Sequence, residues 1–263
     1  MPYRVDIPAV TPDVLDRLVA LGALDVEQVD ECIAAILPDG VPPEMVKSAL
    51  GVPGAIFSPA VARDDESVWL LSPRTIRIGS VLVATPDAVA PPGALRLHES
   101  NAFGTGHHPT TAMCIEALEE ILMAGDVDSV LDVGTGSGIL AIAALTMGVP
   151  RAVGVDIDAG ALEIAAGNAH LNNVADRLQF VLGGPEALDG KWPVVVANVL
   201  AAPLIDMAPV LVQRLGSRGS LVLSGIACSL ESEVRRAYQH FGIRHKRSET
   251  RAGWAVVIAE ASW

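Results

Sequence analysis

The stretch Ser129 to Ala144, SVLDVGTGSGILAIAA, constrains the fold more than any other part of this chain. An apolar run ends in an aspartate. Three glycines follow at alternate positions, Gly134, Gly136 and Gly138, and a helix of small residues begins at once. Glycine allows a tight turn and a close backbone approach to a ligand. The helix that follows directs unpaired N–H groups at whatever binds there. A strand, a glycine loop and a helix in this order are the opening of a doubly wound α/β unit. Similar alternation continues downstream. Strands are expected at Ser129–Val133, Ala152–Asp156, Leu178–Leu182, Val194–Asn198, Ser220–Ser224 and Ala255–Glu260, with helices between them. That pattern predicts a mainly parallel sheet covered on both faces. A ligand then sits beyond the carboxyl ends of the strands.

The first 98 residues follow another regime, with short segments punctuated by proline. Tyr3 to Val10 alternates like a strand. Thr11 to Gly22 reads as a helix capped by Thr11, with Val14, Leu15, Leu18 and Val19 on one apolar face. Leu24–Val29 and Cys32–Leu37 suggest a hairpin, Pro42–Leu50 a second helix, and Ala55–Val61, Val68–Leu71 and Ile76–Ala84 further strands. The order β-α-β-β-α-β predicts a small split βαβ, ferredoxin-like α+β domain. The expected division is therefore a small domain over 1–84, a linker over 85–98 and a Rossmann-like domain over 99–263, with TPDAVAPPG at Thr85–Gly93 as the linker's core.

Composition narrows the function classes. The 263 residues are 51% hydrophobic and 19% charged, ample for packed cores. Mean hydropathy is +0.42, yet no run nears the roughly 18 apolar residues of a membrane span. Ile139 to Val149 comes nearest and is broken by Thr146 and Gly148. The opening MPYRVDIPAV has no charged segment leading into an apolar one, so no secretory signal is expected. Three cysteines without a CxxC pair argue against a disulfide framework or structural zinc and suit a reducing cytoplasm. Eighteen basic against 31 acidic residues leave a net charge of -13, spread over both halves of the chain. Such a surface opposes nucleic-acid phosphates and suits a basic partner. Arg235, Arg236, Arg244, Lys246, Arg247 and Arg251 form a local exception, read as a solvated helix face and hairpin in preference to an RNA contact.

Three segments carry chemistry. In the first, Asp132 stands where a carboxylate would oppose a pyrophosphate and suit a cationic amino group. Asp156, at the end of the next strand, occupies the position that hydrogen-bonds ribose hydroxyls in doubly wound sheets. Gly136, Gly138 and Ala141 also satisfy G-x-G-x-x-G/A, so a hydride-transfer enzyme competes. Asp132, and the mid-chain position of the motif, favour S-adenosylmethionine, a nucleoside carrying an amino acid. In the second segment, NAFGTGHHPTT at Asn101–Thr111, a glycine loop with two histidines feeds a helix that Thr110 or Thr111 can cap. The vicinal pair His107 and His108 lacks the companion ligands a metal site needs. In the third, WPVVVANVLAAP at Trp192–Pro203, a strand delivers Asn198 to its carboxyl end, where an amide can orient an amine or contact the cofactor.

FGTGHHPTT at 103–111, DVGTGSGILAIAA at 132–144, VGVDID at 153–158, VANVLAAPL at 196–204 and the closing GWAVVIAE at 253–260 resemble, in order and spacing, the PrmA family of bacterial ribosomal protein L-eleven methyltransferases. The likeness runs from about Ala102 to the end and is loose before it. Ahead of Ala102-Phe103 this chain has Ser100-Asn101 where the family has Pro-Gly-Met. The resemblance implies that Thr111 contacts S-adenosylmethionine, that Gly134 opens the cofactor loop, that Asp156 takes the ribose hydroxyls, and that Asn198 lies at the methionine end beside the transferred methyl. Phe103, Thr105 and Gly106 match the loop folded over the cofactor. It also implies a protein substrate gripped by the small domain. The expected activity is methyl transfer to amines, lysine side chain or N-terminus, of a basic and ribosomal protein. The alternatives are methylation of a peptide or small molecule on the same scaffold, hydride transfer, and a non-catalytic module binding a basic partner.

Overall fold

The computed structural model describes residues 1–8, 12–29, 32–52, 54–63, 68–72, 74–98 and 103–263. It divides into two compact units, Met1–Pro73 and Arg74–Trp263.

The first unit contains β1 (Tyr3–Ile7), α1 (Pro12–Ala20), β2 (Asp25–Val29), β3 (Cys32–Leu37), α2 (Pro43–Leu50), β4 (Ile56–Pro59), β5 (Ala62–Arg63) and β6 (Val68–Trp69). Its four-stranded sheet has the order β2-β3-β1-β4, with every neighbour antiparallel. This is the expected split βαβ arrangement. Val5, Ile7, Ile33, Ala35 and Leu37 project from one sheet face onto Val14, Leu18, Val46 and Leu50 of the two helices. Val19, expected on the same helix face, is instead 68% exposed; the buried stripe of α1 is narrower than the sequence implied. The proposed cap Thr11 lies outside the described residues. Gly22, at φ 80°, ends the first helix: its N–H bonds Val19 and the next N–H, of Ala23, bonds Leu18. On the other face of the sheet, Asp25 accepts from the Leu71 N–H at 2.9 Å and Glu27 from the Ser72 hydroxyl.

The second unit begins with a small sheet of β7 (Ile76–Ile78), β8 (Val81–Ala84) and β9 (Leu95–Arg96). The compact units thus divide at Pro73/Arg74, earlier than the boundary expected at residue 84. Ile76–Ala84 belongs with the larger unit, and the stretch read as a linker contains β9. The reason is packing: Ile78, Val81, Val83, Leu95 and Leu97 join one core with the following helix.

The main sheet is built from α3 (Pro109–Ala124), β10 (Ser129–Val133), α4 (Ile139–Thr146), β11 (Arg151–Asp156), α5 (Ala159–Leu171), β12 (Leu178–Leu182), β13 (Trp192–Asn198), α6 (Ala201–Asp206), α7 (Ala208–Arg214), β14 (Leu215–Ala227), α8 (Glu231–Gln239), β15 (Ile243–Arg251) and β16 (Trp254–Ala261). The strand order is β12-β11-β10-β13-β14-β16-β15. The first five run parallel; β16 is antiparallel to both its neighbours. This is the doubly wound sheet the alternation predicted. All six expected strands are present, and β15 is an addition.

Alternation along each strand fills two cores. Val130, Val194, Val196 and Val222 pack beneath α3 and α4. Leu131, Val133, Val195, Ala197, Leu221 and Leu223 pack under α6, α7 and α8. Residues Ile139 to Leu145 of α4 are buried all round, so this helix is an interior element. Chain direction across the sheet reverses between β10 and β13, which makes their carboxyl ends the switch point where such folds bind ligands.

The basic cluster on β15 is largely neutralised within the fold. Arg244 and Lys246 pair with Glu260, Arg247 with Glu120 and Glu249, and Arg251 with Glu116. The expected hairpin is β15 and β16. Among the described residues no helix is long and apolar enough to cross a membrane.

The interior character of α4 predicts the cost of thinning it. Ile142→Ala, at a fully buried position, should lose roughly 2–5 kcal/mol of stability, measured as a lower midpoint at unchanged slope in urea unfolding.

Candidate active site

Gly134 and Gly136, at φ 70° and 53°, lie in the left-handed region that side chains rarely adopt. Both are also crowded by protein. A Cβ on Gly134 would sit 2.4 Å from the Val199 side chain, and one on Gly136 would sit 2.7 Å from the Phe103 carbonyl oxygen. The glycines therefore let neighbouring chain segments close onto the loop. The Gly134 and Thr135 N–H groups both bond the Val155 carbonyl, and the Gly138 N–H bonds that of Thr135.

Asp132 is fully buried. Its Oδ2 accepts from the Thr135 hydroxyl at 2.7 Å and from the Ala141 N–H at 3.2 Å, in the first turn of α4. The helix N-terminus that would cradle a pyrophosphate thus already faces a carboxylate of the chain. That arrangement disfavours a dinucleotide. Oδ1 of Asp132 is buried without a hydrogen-bond partner. Burial pushes the carboxyl up to about 6 and the nearby Asp156 charge pushes the same way, while the Thr135 and Ala141 bonds act in the opposite sense.

Asp156, half-buried at the end of β11, accepts from the Gly136 N–H (2.9 Å) through Oδ2 and from the Asp158 N–H (3.0 Å) through Oδ1. Asp158 in turn caps α5 by accepting from the Gly160 N–H. Each Asp156 oxygen keeps a lone pair for a ligand.

Asn198 ends β13 beside β10. Its Nδ2 donates to the hydroxyl of Thr111, a fully buried residue of α3, at 3.4 Å. Its Oδ1 is buried without a partner. The switch point thus brings together two orphaned acceptor oxygens, on Asp132 and Asn198. The resemblance paired Thr111 with the cofactor; the structure places it against Asn198.

The loop from Phe103 to His108 packs against the same region. The Phe103 carbonyl accepts from the Ser137 N–H (3.0 Å), and the Gly104 carbonyl from the Ser137 hydroxyl (2.6 Å). The Phe103 ring meets His108 edge-on at 5.3 Å, and His108 meets Trp254 at 5.1 Å. Thr105 Oγ1 lies 3.4 Å from the backbone N and from Nδ1 of His107, and Gly106 adopts φ 88°. The helix cap is His108, neither Thr110 nor Thr111: Pro109 takes the first helical position, and His108 Nδ1 lies 2.6 Å from the Thr110 hydroxyl and accepts from the Thr110 N–H. Ser100, Asn101 and Ala102 lie outside the described residues. No group of three or more His, Cys, Asp or Glu among the described residues could hold a metal ion.

Motif reading passed over Ser137 and Asn168. Ser137 looks like a loop filler. Asn168 is a polar residue within the otherwise small and apolar AAGNA run of α5, and that anomaly was the available signal. Its side chain is fully buried.

The doubly wound sheet, the glycine loop closed by a buried aspartate and the two orphaned acceptors at the switch point define an S-adenosylmethionine-dependent methyltransferase. The particular kind follows from comparison. A family model described as ribosomal protein L11 methyltransferase (PrmA) matches residues 64–262, and the chain belongs to that family. It is 39% identical over 217 residues to the ribosomal protein L11 methyltransferase of Pelobacter propionicus, covering 80% of this chain and 70% of that protein. Against the protein of the same name from Chromohalobacter salexigens it is 42% identical over 204 residues, covering 76% and 67%. The solved ribosomal protein L11 methylase of Lactobacillus delbrueckii subsp. bulgaricus superposes with a TM-score of 0.66 at 27% identity, covering 72% of this chain and all of that one.

The raised Asp132 pKa has a consequence for stability. Because it lies above the unfolded value of 3.8, the folded chain holds this proton more tightly, and stability falls as pH rises from about 4 to about 6 and is then level. Asp132→Asn should therefore be more stable than the parent at pH 8, by on the order of 1–3 kcal/mol, and the advantage should vanish near pH 4. Urea unfolding at both pH values measures it.

Proposed function

We propose that this chain transfers methyl groups from S-adenosylmethionine to amine nitrogens of a ribosomal protein, L11 first among them. The observation that carries the reading is the Asn198 amide. Its NH₂ is committed to Thr111, so it presents a buried carbonyl oxygen with no partner at the switch point. A carbonyl there accepts an N–H, which an amine acceptor supplies.

The residues present fit the cofactor. The orphaned Asp132 Oδ1 suits the amino group of the cationic methionine end, and Asn198 Oδ1 beside it is left for the acceptor amine. Asp156 would hold the ribose hydroxyls. The Phe103, Thr105 and Gly106 stretch, Thr111, and the backbone of Gly134, Gly136 and Gly138 complete the cradle. When bound, the cofactor supplies an electrophilic methyl on a sulfonium.

The chain's own work is alignment and desolvation. Holding an acceptor in line lowers a barrier by roughly 7–11 kcal/mol. A lysine titrates near 10.4 in water and reacts only when neutral. An apolar site beside a cation lowers that value. Asn198 Oδ1, accepting one amine N–H, turns the nitrogen lone pair away from itself and toward the reacting carbon. His108 is committed to the α3 cap, and a water path serves for loss of the amine proton. The small unit would recognise the protein substrate, and the net charge of -13 suits a basic protein over DNA. Such work belongs in the cytoplasm, where ribosomes are assembled.

Methyl-labelled S-adenosylmethionine incubated with the chain and purified L11, and separately with a cell extract, tests the reading. Label is expected in L11 as methylated lysine or α-amine. Label confined to another peptide or a small molecule would move the substrate; none anywhere would overturn the activity. Asp156→Ala should weaken cofactor binding by roughly ten- to a hundredfold, read by calorimetry, and unchanged affinity would remove it from the ribose site. Asn198→Ala should slow single turnover about a hundredfold while the cofactor Kd moves by no more than about threefold.

A further inference from the structure

Ser137 uses each of its polar groups on a different neighbour. Its N–H donates to Phe103, its hydroxyl to the Gly104 carbonyl, and its own carbonyl accepts from Asn168 Nδ2 at 2.8 Å. Asn168 then accepts the His98 N–H on Oδ1 at 2.9 Å. Four residues on, at the C-cap of α5, Asn172 adds a second tie to this segment. It accepts the Arg96 N–H and donates to the Arg96 carbonyl, both at 2.7 Å. Two amides four residues apart on a helix thus bond backbone groups two residues apart on an extended chain, as a neighbouring strand would. The segment 95–98 and the strap Phe103–Gly106 are consequently fastened to the same pair, Ser137 and Asn168.

These bonds are well placed to matter. Asn168 is fully buried and Ser137 nearly so, where an unmade hydrogen bond is most costly. Ser137 ties the strap to the glycine loop directly, and Asn168 holds Ser137 from behind while fastening the segment 95–98. A site assembled before its ligand arrives binds more tightly than one ordered by the ligand.

We propose that Ser137 and Asn168 are positioning residues for the cofactor: they hold the strap in register with the glycine loop, so that the two bind S-adenosylmethionine as one preformed cradle. The inference rests on the reading that the cofactor occupies that loop.

Two substitutions test it in the full chain. Ser137→Ala removes the hydroxyl bond to Gly104 and leaves the backbone bond to Phe103. Asn168→Asp keeps the size but replaces the donor facing the Ser137 carbonyl with an acceptor. Ser137→Ala should raise both Kd and KM for S-adenosylmethionine about five- to tenfold, as the loss of one buried hydrogen bond predicts. At saturating cofactor, kcat should stay within twofold and the acceptor KM should not move. Ser137→Thr, which restores the hydroxyl, should recover most of the affinity. Asn168→Asp should exceed the Ser137→Ala effect; if it does not fold, the alanine and threonine pair carries the test alone. A cofactor Kd within twofold of the parent in Ser137→Ala, an equal loss in Ser137→Thr, or a fall in kcat without a change in KM would overturn the proposal. Absence of cofactor binding by the unaltered chain would overturn both this inference and the reading beneath it, and is told apart because it appears before any substitution.

Discussion

The bond between the buried Asp132 carboxylate and the first turn of α4 organises everything around it. It closes the glycine loop through Thr135 and holds α4 at the end of β10 through Ala141. It also occupies part of the helix N-terminus, the feature that makes similar loops bind phosphate. A carboxylate in that place disfavours one large class of nucleotide and suits a cofactor with a cationic end. Its desolvation is unfavourable and is offset only in part by those two bonds. A buried acid with one oxygen unpartnered is an expensive way to tie a loop, and a neutral side chain would do the tying. The expense makes sense if the free oxygen meets a ligand.

The legible parts of the fold were those governed by local rules. The β10–loop–α4 unit could be read because its apolar run, three glycines and small-residue helix agree with one another. The split βαβ of the first unit could be read because each turn carries its own signal, Gly22 and Gly51 among them. The division between the units could not. It depends on whether Ile78, Val83 and Leu95 pack with α3, and no local pattern records a partner that lies in a later element of the chain. β15 was hidden for a related reason. Its run IRHKRSETR is too charged to look like a strand, and it is one because it pairs along β16, with Glu260 of β16 and Glu120 and Glu116 of α3 answering its cations.

The site was legible in its members more than in its wiring. Asp132, Asp156 and Asn198 meet at the carboxyl edge, as strand-end positions require. The cap of α3 was misplaced because threonine is the better general capper, whereas Pro109 at the first helical position leaves that role to His108. That histidine also packs between Phe103 and Trp254, so its ring is part of the wall beside the strap.

The two orphaned oxygens bear on why the sheet reverses where it does. Asp132 and Asn198 sit at the ends of β10 and β13, adjacent strands separated in the chain by the whole β11–α5–β12 excursion. A hairpin could not place them so, since neighbouring antiparallel strands end at opposite edges. Parallel pairing puts both carboxyl ends on one edge, and the reversal leaves the groove above them free of a crossing helix. Thr111, reaching from α3, then decides which face of the Asn198 amide the groove sees. If the hydroxyl accepted nothing, the amide could turn and present NH₂, and an incoming amine would meet a donor where it needs an acceptor. The Thr111 hydroxyl thus holds the Asn198 amide in the one orientation that leaves its carbonyl oxygen unpartnered at this edge.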